Sequence, residues 1–286
     1  MKHSFLILVL AAAACAHNTQ SGGASGPIKP NVDPARTEHP SDIVVRYGAS
    51  GSARFALYRR DSVTVKMPSG ESQTQNFGRT AFVTIHLTPG TPPDAQVSIT
   101  LDSLRPDPDW TLPQAGLDSA TGTVWTGHRL ANGRLVDLTA DRPSFVASQL
   151  RSQLDLLYPV LPAGGARSNA EWTDSSTSPI TANAFEVNEV ASSRYRADPA
   201  ADRSTGAALQ ITSERSATFQ GSGNQFGQEL QLAGTSTDSL RYQLSTTGQV
   251  LGMDGTESTT MTITVPSVGQ TVPAEQYAHF KAEPIQ

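Results

Sequence analysis

"AFVTIHL", residues 81–87, decides how this chain is read. Val83, Ile85 and Leu87 fall on one side of an extended segment, with Phe82, Thr84 and His86 on the other. A period of two rich in β-branched residues marks a half-buried strand of an antiparallel sheet. The same alternation returns in "VSITL" (97–101), "SLRYQLS" (239–245) and "TTMTITV" (259–265). Further strands are expected at 43–47, 54–59, 62–67, 123–130, 134–139, 182–190, 207–213, 228–233, 249–253 and 276–282. Glycine turns punctuate them. "LANGRLV" around Asn132-Gly133 is a hairpin signal, and "STTGQVL" around Gly248 reads as a second.

One segment changes period. In "DRPSFVASQLRSQLDLLYP" (141–159), Val146, Leu150, Leu154 and Leu157 recur at helical spacing. Asp141 or Ser144 can cap the start, and Pro159 with Pro162 stops it, which predicts a helix at about 143–158. Its apolar stripe needs a partner, and a sheet face is the large apolar surface on offer. The expectation is a mainly β protein: a large curved antiparallel sheet with one α-helix packed in its concavity. The segments 122–138 and 238–254 each read strand, glycine turn, strand, so a duplication of two halves is a further expectation.

Outward from this body, the chain has 286 residues, a net charge of −5 and 16% charged residues. It holds no basic cluster, so nucleic acid is not an expected partner. Residues 42–286 suffice for one large β-rich domain. Residues 15–41 hold the run "SGGASG" and Pro27, Pro30, Pro34 and Pro40, with little large apolar surface. Such composition reads as a disordered tether, because it cannot bury enough surface to offset its ordering entropy.

Residues 1–14 begin with Lys2, continue through the apolar stretch Phe5 to Leu10 and end in small residues. About ten apolar residues rise about 15 Å as a helix, half a bilayer's hydrocarbon core, which suits a signal peptide. The single cysteine, Cys15, follows the alanines Ala11 to Ala14. Ordinary secretion with an incidental Cys15 is one reading of this. The other rests on a resemblance: Ala12-Ala13-Ala14-Cys15 is similar to the lipobox of bacterial lipoproteins. That resemblance implies a diacylglycerol thioether on Cys15, acylation of its freed amine and membrane attachment through these chains. With two or three chains the anchor holds far more firmly than with one. Ala16 after the cysteine, with no Asp there, implies an outer-membrane lipoprotein facing the periplasm.

Two broader resemblances follow. The run "LLYPVLPAGGARSNAEWTD" (156–174), a Pro-x-Leu-Pro run followed by a turn and Trp172, is similar to uncharacterised β-rich envelope lipoproteins. The layout of lipid anchor, open sheet and inserted helix looks like the LolA/LolB type of half-barrel. Members of that type hold acyl chains in an apolar concavity.

Chemistry-bearing motifs are scarce. No Gly-x-Ser-x-Gly elbow, His-Glu-x-x-His or cysteine pair occurs, and the six histidines are scattered. His86, His128 and His279 are expected to be surface or structural residues, and Asp107 with Asp109 an exposed turn. Trp110, Trp125 and Trp172 are expected in the core. No catalytic residue, metal or cofactor is assigned. The expected function is that of a non-enzymatic, lipid-anchored envelope protein binding an apolar or lipid ligand in its concave sheet. The alternative is an interaction module that docks onto an envelope protein through a sheet edge.

Overall fold

A computed structural model describes residues 43–67, 69–91, 94–108, 114–182, 185–202, 204–225 and 228–285. Cys15, the signal segment and the tether lie outside the described residues, as do Asp109 and Trp110. No helix among the described residues is long and apolar enough to cross a membrane.

The body is one open antiparallel sheet of eleven strands with few short helices. A short β1 (Val44–Val45) precedes β2 (Gly51–Lys66), β3 (Ser72–Pro89) and β4 (Ala95–Pro106). After α1 (Gln114–Ala120) come β5 (Val124–Arg129) and β6 (Leu135–Ala140), then α2 (Phe145–Asp155) and β7 (Ala166–Arg167). The second half runs β8 (Ala170–Ala182), β9 (Phe185–Pro199), β10 (Ala207–Gln225), β11 (Gln228–Ser245), β12 (Val250–Val265) and β13 (Gln270–Ile285). Across the sheet the order is β6-β5-β4-β3-β2-β13-β12-β11-β10-β9-β8, while β1 pairs only with β7.

This order explains the helix. Strands β2 to β6 meander to one edge, and β8 to β13 begin at the opposite edge and meander back until β13 pairs with β2. The connection from β6 to β8 must therefore cross from edge to edge, and it carries α2 over the concave face. Ser144 caps α2 by accepting from the Ala147 N–H at 3.1 Å. The predicted stripe Val146, Leu150, Leu154 and Leu157 is fully buried. So are Gln149, Ser152 and Gln153 on the other side, because the sheet wraps the helix. The helix stops at Asp155, a turn short of the expected boundary, and α1 had no expectation in the sequence.

The strands are longer than the sequence suggests. Segments 54–59 and 62–67 are one strand, as are 228–233 with 239–245, and 249–253 with 259–265. Each apparent break falls at or beside inward-facing residues that are polar. In β2 these are Arg59 and Asp61, in β11 Ser236 and Asp238, and in β12 Glu257 and Thr259. Register places them at one height. Arg215 lies opposite Asp238, Asp238 opposite Glu257, Glu257 opposite Ala278, and Ala278 opposite Asp61. In the neighbouring row, Phe280 lies opposite Arg59 and Arg59 opposite Arg79.

A polar belt thus divides the inward face. Below it, toward the start of β2, the main core gathers Phe55, Leu57, Ile85, Ile99, Trp125, Leu150, Trp172 and Phe280. Above it, a second cluster holds Val63, Val65, Phe77, Leu230, Leu232, Met261 and Ile263. Like charges directly opposite, as with Asp238 and Glu257, are unfavourable unless compensated. Arg215 Nη1 meets Asp238 Oδ2 at 2.9 Å and its Nη2 meets Glu189. Arg59 Nη2 meets Asp61 at 2.7 Å and Glu257 at 3.6 Å, while its Cζ sits 4.6 Å from the Phe280 ring centroid. Burial works against the Arg215 charge, but Glu189 and Asp238 more than offset it and hold the guanidinium pKa above its ordinary value.

Candidate functional site

The lower end of the sheet is where the chain builds a site. Both hairpins read from the sequence form there: Gly133 (φ 97°) turns β5 into β6, and Gly248 (φ 76°) turns β11 into β12. Positive φ explains glycine at each, and closeness adds a second reason. A Cβ at Gly133 would strike the Tyr47 ring, and one at Gly248 would strike the Arg46 carbonyl. The segment entering β2 therefore lies across both turns and closes much of this mouth.

That segment is clamped from the far side. The Tyr47 hydroxyl donates to Pro159 O at 2.7 Å, the Tyr242 hydroxyl to Leu156 O at 3.0 Å, and the Trp172 indole N–H to Val160 O at 2.8 Å. The "YPVLP" run and Trp172, separated in sequence by a turn, are thus one hydrogen-bonded unit, and Trp172 stacks on Tyr195 at 5.4 Å. Burial pushes the phenol pKa of Tyr47 and Tyr242 well above the usual value, and those of Tyr158 and Tyr195 upward. For Tyr158 and Tyr47 the Arg129 charge pulls the other way and loses.

Between this clamp and the strand ends lies a cavity of about 310 Å³. Its apolar wall includes Phe55, Ile85, Leu87, Val250 and Leu251, with Tyr158 and the Arg129 guanidinium at one side. Among the described residues, Arg129 is its one charged lining residue, and no Asp, Glu or His lines it. Ser50, Ser52 and Thr247 supply hydroxyls. The volume is at the small end of the range for small-molecule sites. A shallower hollow of about 530 Å³ lies at the upper end, lined by Glu186, Asn188, Gln220, Gln231, Thr262 and other largely polar residues.

The histidines do not converge. His86 and His128 are exposed on the outer face. They lie two strands apart, opposite Ser98 and Gln96 of β4 respectively. His279 is also on the outside, with Nε2 3.1 Å from Asp254 Oδ2. Asp107 faces Arg60 at 3.9 Å. Trp125 and Trp172 are fully buried in the core. Among the described residues, no group of three His, Cys, Asp or Glu side chains is placed to hold a metal ion. Arg129, Tyr47 and Tyr158 carried no signal in the sequence, since their meeting depends on three distant segments.

No known protein-family model matches the chain, and no curated protein does. A solved structure described as "Asymmetric conductivity of engineered proteins" shares 9% identity, covering 80% of this chain and all of its own, with a TM-score of 0.24. A likeness that slight carries no argument about fold or function.

Proposed function

We propose that this chain is a lipid-anchored cell-envelope protein that acts by holding an apolar ligand at the lower mouth of its sheet. The anchor rests on the sequence around Cys15. The ligand rests on one observation: an apolar-walled cavity of about 310 Å³ opens in a body whose remaining inward face is packed or charged. The broad greasy concavity expected from the layout gives way to this smaller site, because α2 fills the lower half and the belt interrupts the rest. Binding is favoured over catalysis by the lining, where among the described residues the hydroxyls have no histidine or carboxylate beside them to act as base. Docking through an edge is the rival. It is weakened because β6 has only six residues and β8 carries Pro179, two features that blunt an edge as a template.

Native mass spectrometry of the full-length protein extracted from membranes tests the ligand. One small apolar molecule per chain is expected, lost in Ile85→Trp, which fills the cavity. An empty wild-type protein that also fails to take up decanol or decanoate refutes the reading. For the anchor, an unmodified thiol at Cys15 by intact mass, or processing indifferent to globomycin, refutes it.

A further inference from the structure

Among the described residues, no carboxylate answers the charge of Arg129. The residue is 4% exposed. Its Nη2 donates to Gly48 O, and its Cζ lies 4.9 Å and 5.3 Å from the ring centroids of Tyr47 and Tyr158. Its Nε is buried with no hydrogen-bond partner among the described residues. Most other arginines under the sheet face a carboxylate. Arg59 has Asp61, Arg215 has Glu189 and Asp238, Arg151 has Asp155 and Arg134 has Asp174, while Arg79 donates to the neutral amide of Gln149. Among the described residues Arg129 has a carbonyl, the Tyr158 hydroxyl and two ring faces, but no carboxylate.

Burying a cation without a counter-charge costs stability, and ring faces compensate only in part. A structural role does not need that cost, because an apolar residue would fill the same space between the two tyrosines. The charge has a use if an anion arrives from outside the chain. Among the described residues Arg129 is also the one charged residue lining the cavity, with no acid there to repel an anion.

We infer that the cavity takes a single-chain amphiphile with an anionic head, carboxylate or phosphate, whose head meets Arg129. The guanidinium offers the planar donor geometry that such heads accept. The tail lies along Phe55, Ile85, Leu87, Val250 and Leu251. At roughly 30 Å³ per non-hydrogen atom, about the share of a water in the liquid, the cavity holds on the order of ten such atoms. A medium-length chain fits, with any longer remainder leaving through the mouth. This inference rests on the ligand-holding reading above and adds the charge and the length.

Isothermal titration calorimetry on the full-length protein tests it with decanoate, decyl phosphate and decanol, and with acetate and inorganic phosphate as tail-less controls. Decanoate or decyl phosphate is expected to bind at least about tenfold tighter than decanol, and the stronger of the two identifies the head. Acetate and inorganic phosphate are expected to bind far more weakly than their alkyl counterparts. Arg129→Gln should abolish the preference for the anion, and Arg129→Lys should keep part of it. Urea unfolding checks that each variant folds, and the wild-type comparison stands without them. Equal affinity for decanol and both anions overturns the anionic head but leaves the apolar ligand in place. No binding of any alkyl probe overturns both. Inorganic phosphate binding as tightly as decyl phosphate overturns the amphiphile and leaves a plain anion site.

Discussion

Arg215→Leu is the sharpest test of the belt. The substitution removes the cation shared by Glu189 and Asp238, while Glu257 lies directly across from Asp238 on β12. Glu189 and Asp238 are 2% and 4% exposed, so solvent cannot replace the lost partner. Breaking a buried pair by removing one member costs about 3–5 kcal/mol. The Arg215 side chain keeps 14% exposure, which places the expectation at the lower end, about 3 kcal/mol. Urea unfolding followed by circular dichroism at neutral pH measures it as a fall in midpoint with unchanged slope. Acidification should shrink the difference between variant and wild type, because protonated carboxyls no longer need the cation. The combined variant Arg215→Leu, Glu189→Leu, Asp238→Leu should recover much of the loss, since the uncompensated charges go with the cation. A single variant costing less than about 1 kcal/mol, the value of an exposed pair, would refute the picture of a dry belt. So would a triple variant no better than the single one.

Two further outcomes follow from the lower mouth. The phenols of Tyr47, Tyr158, Tyr195 and Tyr242 have raised pKa values in the folded chain. Their contribution is therefore intact below the ordinary phenol value of about 10 and lost above it, where the unfolded chain releases protons the folded one retains, at about 1.4 kcal/mol per pH unit per fully affected group. Unfolding and phenolate absorbance should rise together in alkali, and phenolate absorbance from these four rings well before unfolding would contradict their burial. Trp172→Phe removes the indole donor to Val160 O and part of the stack on Tyr195. The expected loss is about 1–3 kcal/mol, read from urea unfolding, and a loss within about 0.5 kcal/mol would deny the clamp a structural role.

Much of the fold was legible because strand period, turn glycines and helix period are local signals. "AFVTIHL" and "TTMTITV" became inward–outward strands, Gly133 and Gly248 became turns, and Ser144 became a cap. The reading failed where β2, β11 and β12 were each cut in two. An inward Asp61, Asp238 or Glu257 looks like a loop when its strand is read alone. The candidate site was less legible still. Arg129 sits in a strand whose sequence is unremarkable, and its two tyrosines lie in a segment near the start of the domain and in the turn after α2.

By itself, then, the sequence determined that the body is an antiparallel sheet with a helix in its middle connection, since side-chain period follows from the backbone of each element. Only the tertiary structure decided that scattered polar breaks align into one charged belt, and that Arg129 faces an apolar cavity with no carboxylate against it among the described residues. Both depend on register and on which strands become neighbours. Those relations exist between segments far apart in the chain, where no local pattern can record them.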